Sequence, residues 1–323
     1  MSGPGRGRGL AGPADLAERF LLPLVVAVAA AGVAWPGPGR ALAARDGIDA
    51  VLAVLVFATG LSLRLADLAA VRTAWRRLAV VLAVSTTALP GLAWAASQLI
   101  SDRVLRSGMQ TAGVAPAEVA TVALCALAGG DAAVCAVILA ASTLVTVLAA
   151  GPVLALLGSA ATVPAAMLLG TLLAVVALPL AAGVGLRAVW APGSHGGPAG
   201  RIVTVTALLA LLWQVASQIR LDAGYLRVIA ALAVYIAGSA LLGGLLAVRL
   251  PAGRAVAVLL PVAIRDFAVA AGIAATAFGP AAAAPLGAYG VLVLLTGSVV
   301  THVSGGRRRS APASGVGPGP PGN

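Results

Sequence analysis

Ten apolar runs, separated by short segments rich in Arg, Gly and Pro, take up most of the 323 residues. They are Phe20–Trp35, Ile48–Leu63, Leu78–Ile100, Met109–Ala128, Ala132–Leu157, Val163–Leu186, Ile202–Ile219, Val228–Val248, Ala255–Phe278 and Pro285–Val303. One helical span of a bilayer needs about 20 mostly apolar residues, so each run is a candidate span. Charged residues are 10% of the chain and hydrophobic ones 60%, with a mean hydropathy of +1.04. Soluble domains carry about 25% charged residues; this chain has too little polar surface for water. The expected fold is an all-α polytopic membrane protein of about ten transmembrane helices, placed in the plasma membrane.

The net charge of +11 comes from arginines, with no lysine in the chain. The arginines fall between the apolar runs, without interleaved aromatics, so they read as topology signals rather than a nucleic-acid surface. Placing both termini in the cytoplasm puts most loop arginines, including Arg64, Arg72, Arg187, Arg201 and Arg254, on that side, against Arg40, Arg45, Arg103, Arg106, Arg220 and Arg227 opposite. The segment Arg64–Arg77 reads as a short amphipathic stretch at the headgroups. Residues 1–19 form a basic N-terminal segment that resembles a signal peptide without requiring cleavage, and 304–323 read as a disordered tail.

Two ionisable clusters lie inside apolar runs. Glu118 follows Pro116 by two residues, and Arg265-Asp266 follows Pro261. A charge at bilayer depth costs at least about 2.5–3.5 kcal/mol, and a proline inside a span removes a backbone hydrogen bond and tends to break the helix. Paired broken helices near the midplane, one in each half of a chain, are a recurring plan for substrate sites in secondary transporters. Pro116 and Pro261 are 145 residues apart. Tight boundaries at Gly129-Gly130-Asp131 and Gly279-Pro280 occupy matching places. The layout predicts two inverted five-helix repeats, 20–157 and 158–303, with interrupted helices 4 and 9 crossing. There Glu118 and Arg265 are expected to pair, because an unpaired buried charge is costly.

Other polar residues carry weaker signals. Asp131 reads as an N-cap after two glycines. Thr121, Ser142 and Thr143 are small hydroxyls that either coordinate an ion or bond their own backbone. Gln214 and Gln218, four apart, either line a pathway or bond across helices. Cys125 and Cys135 read as buried thiols; His195 and His302 stand alone. No catalytic motif, cofactor-binding motif or metal-ligand spacing occurs, and without an ATP-binding motif any transport is secondary.

The segments Phe57-Ala-Thr-Gly60-Leu61, Leu89-Pro90, Pro116-Ala-Glu-Val-Ala-Thr121, Ala-Gly-Gly-Asp131, Ser142-Thr143 and Arg265-Asp266-Phe-Ala-Val-Ala-Ala-Gly272 together resemble the bile acid:sodium symporter family. The resemblance spans nearly all ten runs. It implies a panel domain and a core domain, with sodium and an organic anion bound where broken helices cross. Several positions depart from the family pattern. Val122 stands where the family has an Asn, Cys135 and Leu139 where it has hydroxyls, Ser85 and Arg265 where it has Gln, and Pro261 where it has an acid. Hard cations want several oxygen ligands, so the resemblance implies weakened sodium coupling. Ala117, where related arsenite carriers have Cys, argues against arsenite.

Two functions remain open on the sequence. The first is a secondary transporter of a small organic anion, with Glu118, Arg265, Asp266, Thr121, Pro116, Pro261, Ser142, Thr143 and Gln214 as the candidate site. Arg265 would take the carboxylate, and Glu118 or Asp266 the coupling ion, H+ or Na+. The second is a non-transporting sensor or scaffold that keeps the fold with a locked Glu–Arg pair.

Overall fold

The structure, a computed structural model, describes residues 21–45, 47–62, 71–157, 164–190, 198–219 and 224–293. Every regular element among them is helical. In chain order these are α1 (Leu21–Ala34), α2 (Pro36–Ala43), α3 (Gly47–Ser62), α4 (Val71–Ser97), α5 (Arg103–Val114), α6 (Ala120–Leu127), α7 (Ala132–Leu156), α8 (Ala165–Leu172), α9 (Leu178–Trp190), α10 (Pro198–Ala216), α11 (Tyr225–Ala247), α12 (Ala252–Ala263) and α13 (Phe267–Phe278). The last, α14 (Pro280–Val293), opens on a 3-10 turn. A π-helical turn, Leu173–Ala177, joins α8 to α9.

Among the described residues, four helices are long and apolar enough to cross a membrane unaided: Leu78–Ser97, Ala132–Leu156, Ala166–Val189 and Tyr225–Ala247. A fifth candidate is the pair Pro23–Ala34 and Pro36–Ala43, bent by 89°. The sequence treats Phe20–Trp35 as one straight span. The bend arises because a residue before proline is driven out of the helical region, and Trp35 sits at φ −129°, ψ 68°. Arg40, expected in a loop, rides on the short α2 and donates from Nε to the Ser217 carbonyl at 2.8 Å.

Apolar side chains divide the helices into two kinds. On α7, Leu144, Leu148 and Leu156 are 60–86% exposed, and α11 exposes Leu241 and Leu245. Large exposed apolar faces are anomalous in water and suit a lipid-facing surface. By contrast, α13 buries Phe267 through Ala274 without interruption, and α5 buries Ser107 through Val114. These two lie at the centre of the molecule.

Small residues allow the close packing. A side chain at Gly60 would strike the Leu180 carbonyl, and one at Gly183 the Phe57 carbonyl, so α3 and α9 touch backbone to backbone, as small residues permit in membranes. The two tight boundaries each hold a glycine in the left-handed region, Gly129 at φ 76° and Gly279 at φ 89°, where a Cβ is strained. Asp131 caps α7, accepting from the Val134 amide at 3.2 Å. Of Arg64–Arg77, residues 64–70 lie outside the described ones. From Val71 the chain is already α4, with the Arg76 guanidinium over the exposed Trp75 ring. The junction of the two expected repeats and both terminal segments also lie outside the described residues.

Candidate functional site at the crossing of two helix breaks

The first break runs from Ala115 to Val119, between α5 and α6. A continuous helix would direct the amide of residue 116 to the carbonyl of Ala112, but Pro116 has no N–H. The Tyr235 hydroxyl donates to the Ala112 carbonyl instead, at 3.0 Å. The Val114 carbonyl, whose helical donor would be the amide of Glu118, receives the Thr146 hydroxyl at 2.8 Å. The Ala115 carbonyl receives Nη2 of Arg265. On the amide side, Ala117 donates to the Ser142 hydroxyl at 3.1 Å. Buried backbone groups are rarely left unpaired; here neighbouring helices supply the partners that the break removes.

The second break is Ile264–Asp266, between α12 and α13. Pro261 does not mark its opening. The helix runs on through it to Ala263, and Ile264 is the first extended residue, at φ −117°, ψ 110°. The Ser239 hydroxyl donates to the Ala263 carbonyl at 3.0 Å. The Arg265 amide donates to the Tyr289 hydroxyl at 3.1 Å. Asp266 caps α13, its Oδ1 accepting from the amides of Ala268 and Val269 at 2.8 and 3.0 Å.

The two breaks pair with each other. Glu118 donates its amide to the Ile264 carbonyl at 3.1 Å, and Asp266 donates its amide to the Pro116 carbonyl at 2.9 Å. This is an antiparallel bridge centred on Ala117 and Arg265. It has a consequence for charge. Successive side chains of an extended segment point to opposite faces, so Arg265 shares a face with Ala117 while Glu118 and Asp266 share the other.

Two small cavities flank the bridge accordingly, each with room for about one water molecule. Asp266 and Pro116 line one, with Thr59, Val119, Leu139, Thr143 and Val176. Arg265 lines the other, with Ser85, Thr86, Pro90 and Thr146.

The expected Glu118–Arg265 ion pair is therefore not formed. Both residues are buried, at 6% and 2% exposure, yet the bridge sends them to different faces. Arg265 spends Nη2 on Ala115 and Nη1 on the Pro261 carbonyl, at 3.4 Å, and its Nε has no partner among the described residues. Glu118 Oε2 is likewise unpartnered; the amides of Val119, Ala120 and Phe267 lie against its carboxyl. The sequence-level geometry assumed a helix at Arg265-Asp266, with adjacent side chains about 100° apart. In extended backbone they diverge by about 180°.

Of the remaining expected residues, Thr121 is buried and tied down, donating to the Glu118 carbonyl and accepting from the Cys135 thiol at 3.7 Å. Ser142 holds the Ala117 amide, and Thr143, bonded to its own Leu139 carbonyl, lines the acid-side cavity. Gln214 is not part of the crossing. It is buried on α10, where a side chain at Gly47 would meet its Oε1, it lines neither cavity, and both its amide atoms lack partners.

Tyr235, Tyr289, Thr146 and Ser239 are the residues that the sequence reading missed. Thr146 was accessible, since it lies four residues from Ser142 and so on the same helix face. The tyrosines carry no such signal: their partners are backbone atoms distant in sequence.

A search of curated proteins returned no match to the chain. The family model of the Sodium Bile acid symporter family matches residues 50–229, which include the first break and end before the second. That match covers more than half of the chain, and the chain belongs to the Sodium Bile acid symporter family.

Proposed function

We propose that the chain is a multi-pass secondary transporter of a small organic anion, coupled to protons more than to sodium. The carrying observation is the charge arrangement at the crossing. A helix C-terminus carries about −0.5 and an N-terminus about +0.5 of an elementary charge. Arg265 bonds carbonyls at the C-terminal ends of α5 and α12, so its single positive charge offsets both. Glu118 and Asp266 sit at the N-terminal ends of α6 and α13, where two negative charges meet about one positive. With both carboxyls ionised the acid face would hold about one negative charge in excess, which one bound proton or cation balances. An excess charge in a dry site attracts a counter-ion, and Asp266, lining the cavity on that face, is the proposed carrier. The anion is assigned to the arginine face, where the Nε–H of Arg265 is a donor left free among the described residues and would hold the anion by hydrogen bonding rather than by net charge.

In this reading the helices form two inverted five-helix repeats within ten spans. The broken α5–α6 and α12–α13 are the fourth and ninth spans, and both termini are cytoplasmic. Neither cavity admits an organic anion as it stands, so binding requires the lining helices to move. The π-helical turn beside the acid-side cavity, through Val176, is a suitable place for such movement, because π-turns cluster at functional sites. A locked Glu–Arg pair no longer supports the scaffold alternative. The test is uptake of a panel of organic acids by proteoliposomes under imposed proton and sodium gradients. Accumulation driven by an inward proton gradient, unchanged when choline replaces sodium, is expected. Strict sodium dependence with no response to pH overturns the coupling, and no uptake under any gradient overturns the transport reading.

A further inference from the structure

Two helices end at the crossing with their carbonyls directed at the same group. The Ala115 carbonyl belongs to the end of α5, the Pro261 carbonyl to the last turn of α12, and both accept from the Arg265 guanidinium. The Pro261 carbonyl lies four residues upstream of Arg265, on the helix that leads into its extended segment, whereas the Ala115 carbonyl comes from the other break, 150 residues away in the chain. Ala115 is fully buried and Arg265 is 2% exposed. Among the described residues no carboxylate hydrogen-bonds the guanidinium. Carbonyl oxygens accept from it, the phenols of Tyr235 and Tyr289, whose rings meet edge to face at 6.0 Å, lie near it, and the Asp266 carboxyl acts on it electrostatically without bonding it.

Without Arg265, two buried helix C-termini would be left without a counter-charge, each with about half a negative charge. Unwound carbonyls and half-helix C-terminal ends are what coordinate free monovalent cations in secondary transporters. A guanidinium meets the same need as a planar, delocalised cation with several donors in a fixed fork. We infer that Arg265 is a tethered cation. It fills from within the chain a carbonyl-lined cation position between the ends of α5 and α12, so that the native protein needs no free cation there and loss of the side chain creates a site for one. The inference concerns binding and stability and stands whether or not the chain transports an organic anion.

The experiment compares thermal unfolding of purified wild type and Arg265→Ala in detergent. Each is measured in choline chloride, with choline replaced by sodium or by millimolar guanidinium at constant ionic strength. Arg265→Ala should unfold several degrees below wild type in choline. It should regain at least half of that loss, saturably, with guanidinium, with sodium or with both, while the wild-type midpoint stays the same in all three salts. Recovery with guanidinium alone means that the site keeps the shape of the fork. Recovery with sodium as well means that the carbonyls accept a hard cation; either result supports the inference. Failure of both ions to stabilise Arg265→Ala overturns it. Should Arg265→Ala not fold, the wild-type arm decides: a saturable rise of its midpoint in sodium shows a free-cation requirement and overturns the inference, and an unchanged midpoint supports it.

Discussion

The two helix breaks differ in how they are made and in how they are held. The first contains its proline: Pro116 lies within the opening, and four groups borrowed from elsewhere, Tyr235, Thr146, Ser142 and Arg265, satisfy the backbone it exposes. The second opens after its proline. Pro261 is still helical, Ile264 is the first extended residue, and Asp266 closes the gap as the cap of its own helix. The first break depends on its surroundings, whereas the second carries one of its own caps and also supplies the arginine that supports the first. A proline marks the neighbourhood of a break, then, but the residues that pair across it set its place.

This comparison predicts unequal responses to substitution. The largest belongs to Arg265→Leu, which strips the donors from two buried carbonyls, one at each break. A buried polar group left unpaired costs about 1–3 kcal/mol, so the loss should reach about 2–6 kcal/mol, read as a lowered unfolding midpoint in detergent. A change no larger than that of a single hydroxyl deletion would show that the guanidinium does not join the breaks.

Next come the hydroxyl deletions. Tyr235→Phe leaves the Ala112 carbonyl of the first break unpaired, and Tyr289→Phe leaves the Arg265 amide of the second. Each should cost about 1–3 kcal/mol, with Tyr235→Phe the more damaging because three carbonyls of the first break depend on borrowed donors. The reverse order would contradict the asymmetry. The smallest effect is expected at Pro261→Ala. That residue lies inside α12, and the bridge rather than the proline holds the second break, so the midpoint should be unchanged or slightly raised. A marked loss would restore Pro261 as the cause of the opening.

The same contrast explains what the sequence made legible. Spans and breaks were readable because apolar length and intramembrane charge are properties of neighbouring residues. Glu118, Arg265 and Asp266 stood out for that reason, as did the capping of Asp131, which follows from two preceding glycines. The relation between the clusters was not readable. The cost of an unpaired buried charge, taken alone, favours a Glu118–Arg265 pair. The bridge at Ala117 and Arg265 overrides this by turning an assumed helix into extended backbone, and with it the direction of each side chain. Gln214 stands out by its polarity in an apolar run, a property that does not distinguish the crossing from a buried place beside Gly47. Tyr235 and Tyr289 carry no such signal, because their role depends on carbonyls and amides that become available only once the breaks have formed.

The face opposite Arg265 is proposed to carry the coupling charge, and Asp266→Asn removes that charge while sparing the cap. Asn is as good an N-cap as Asp, so the amides of Ala268 and Val269 keep an acceptor and the fold should persist, while the ionisable group is gone. Reconstituted Asp266→Asn should unfold within a few degrees of wild type yet fail to accumulate its organic anion in response to an inward proton gradient, although it still equilibrates that anion across the membrane. Accumulation equal to wild type under the same gradient would contradict the claim.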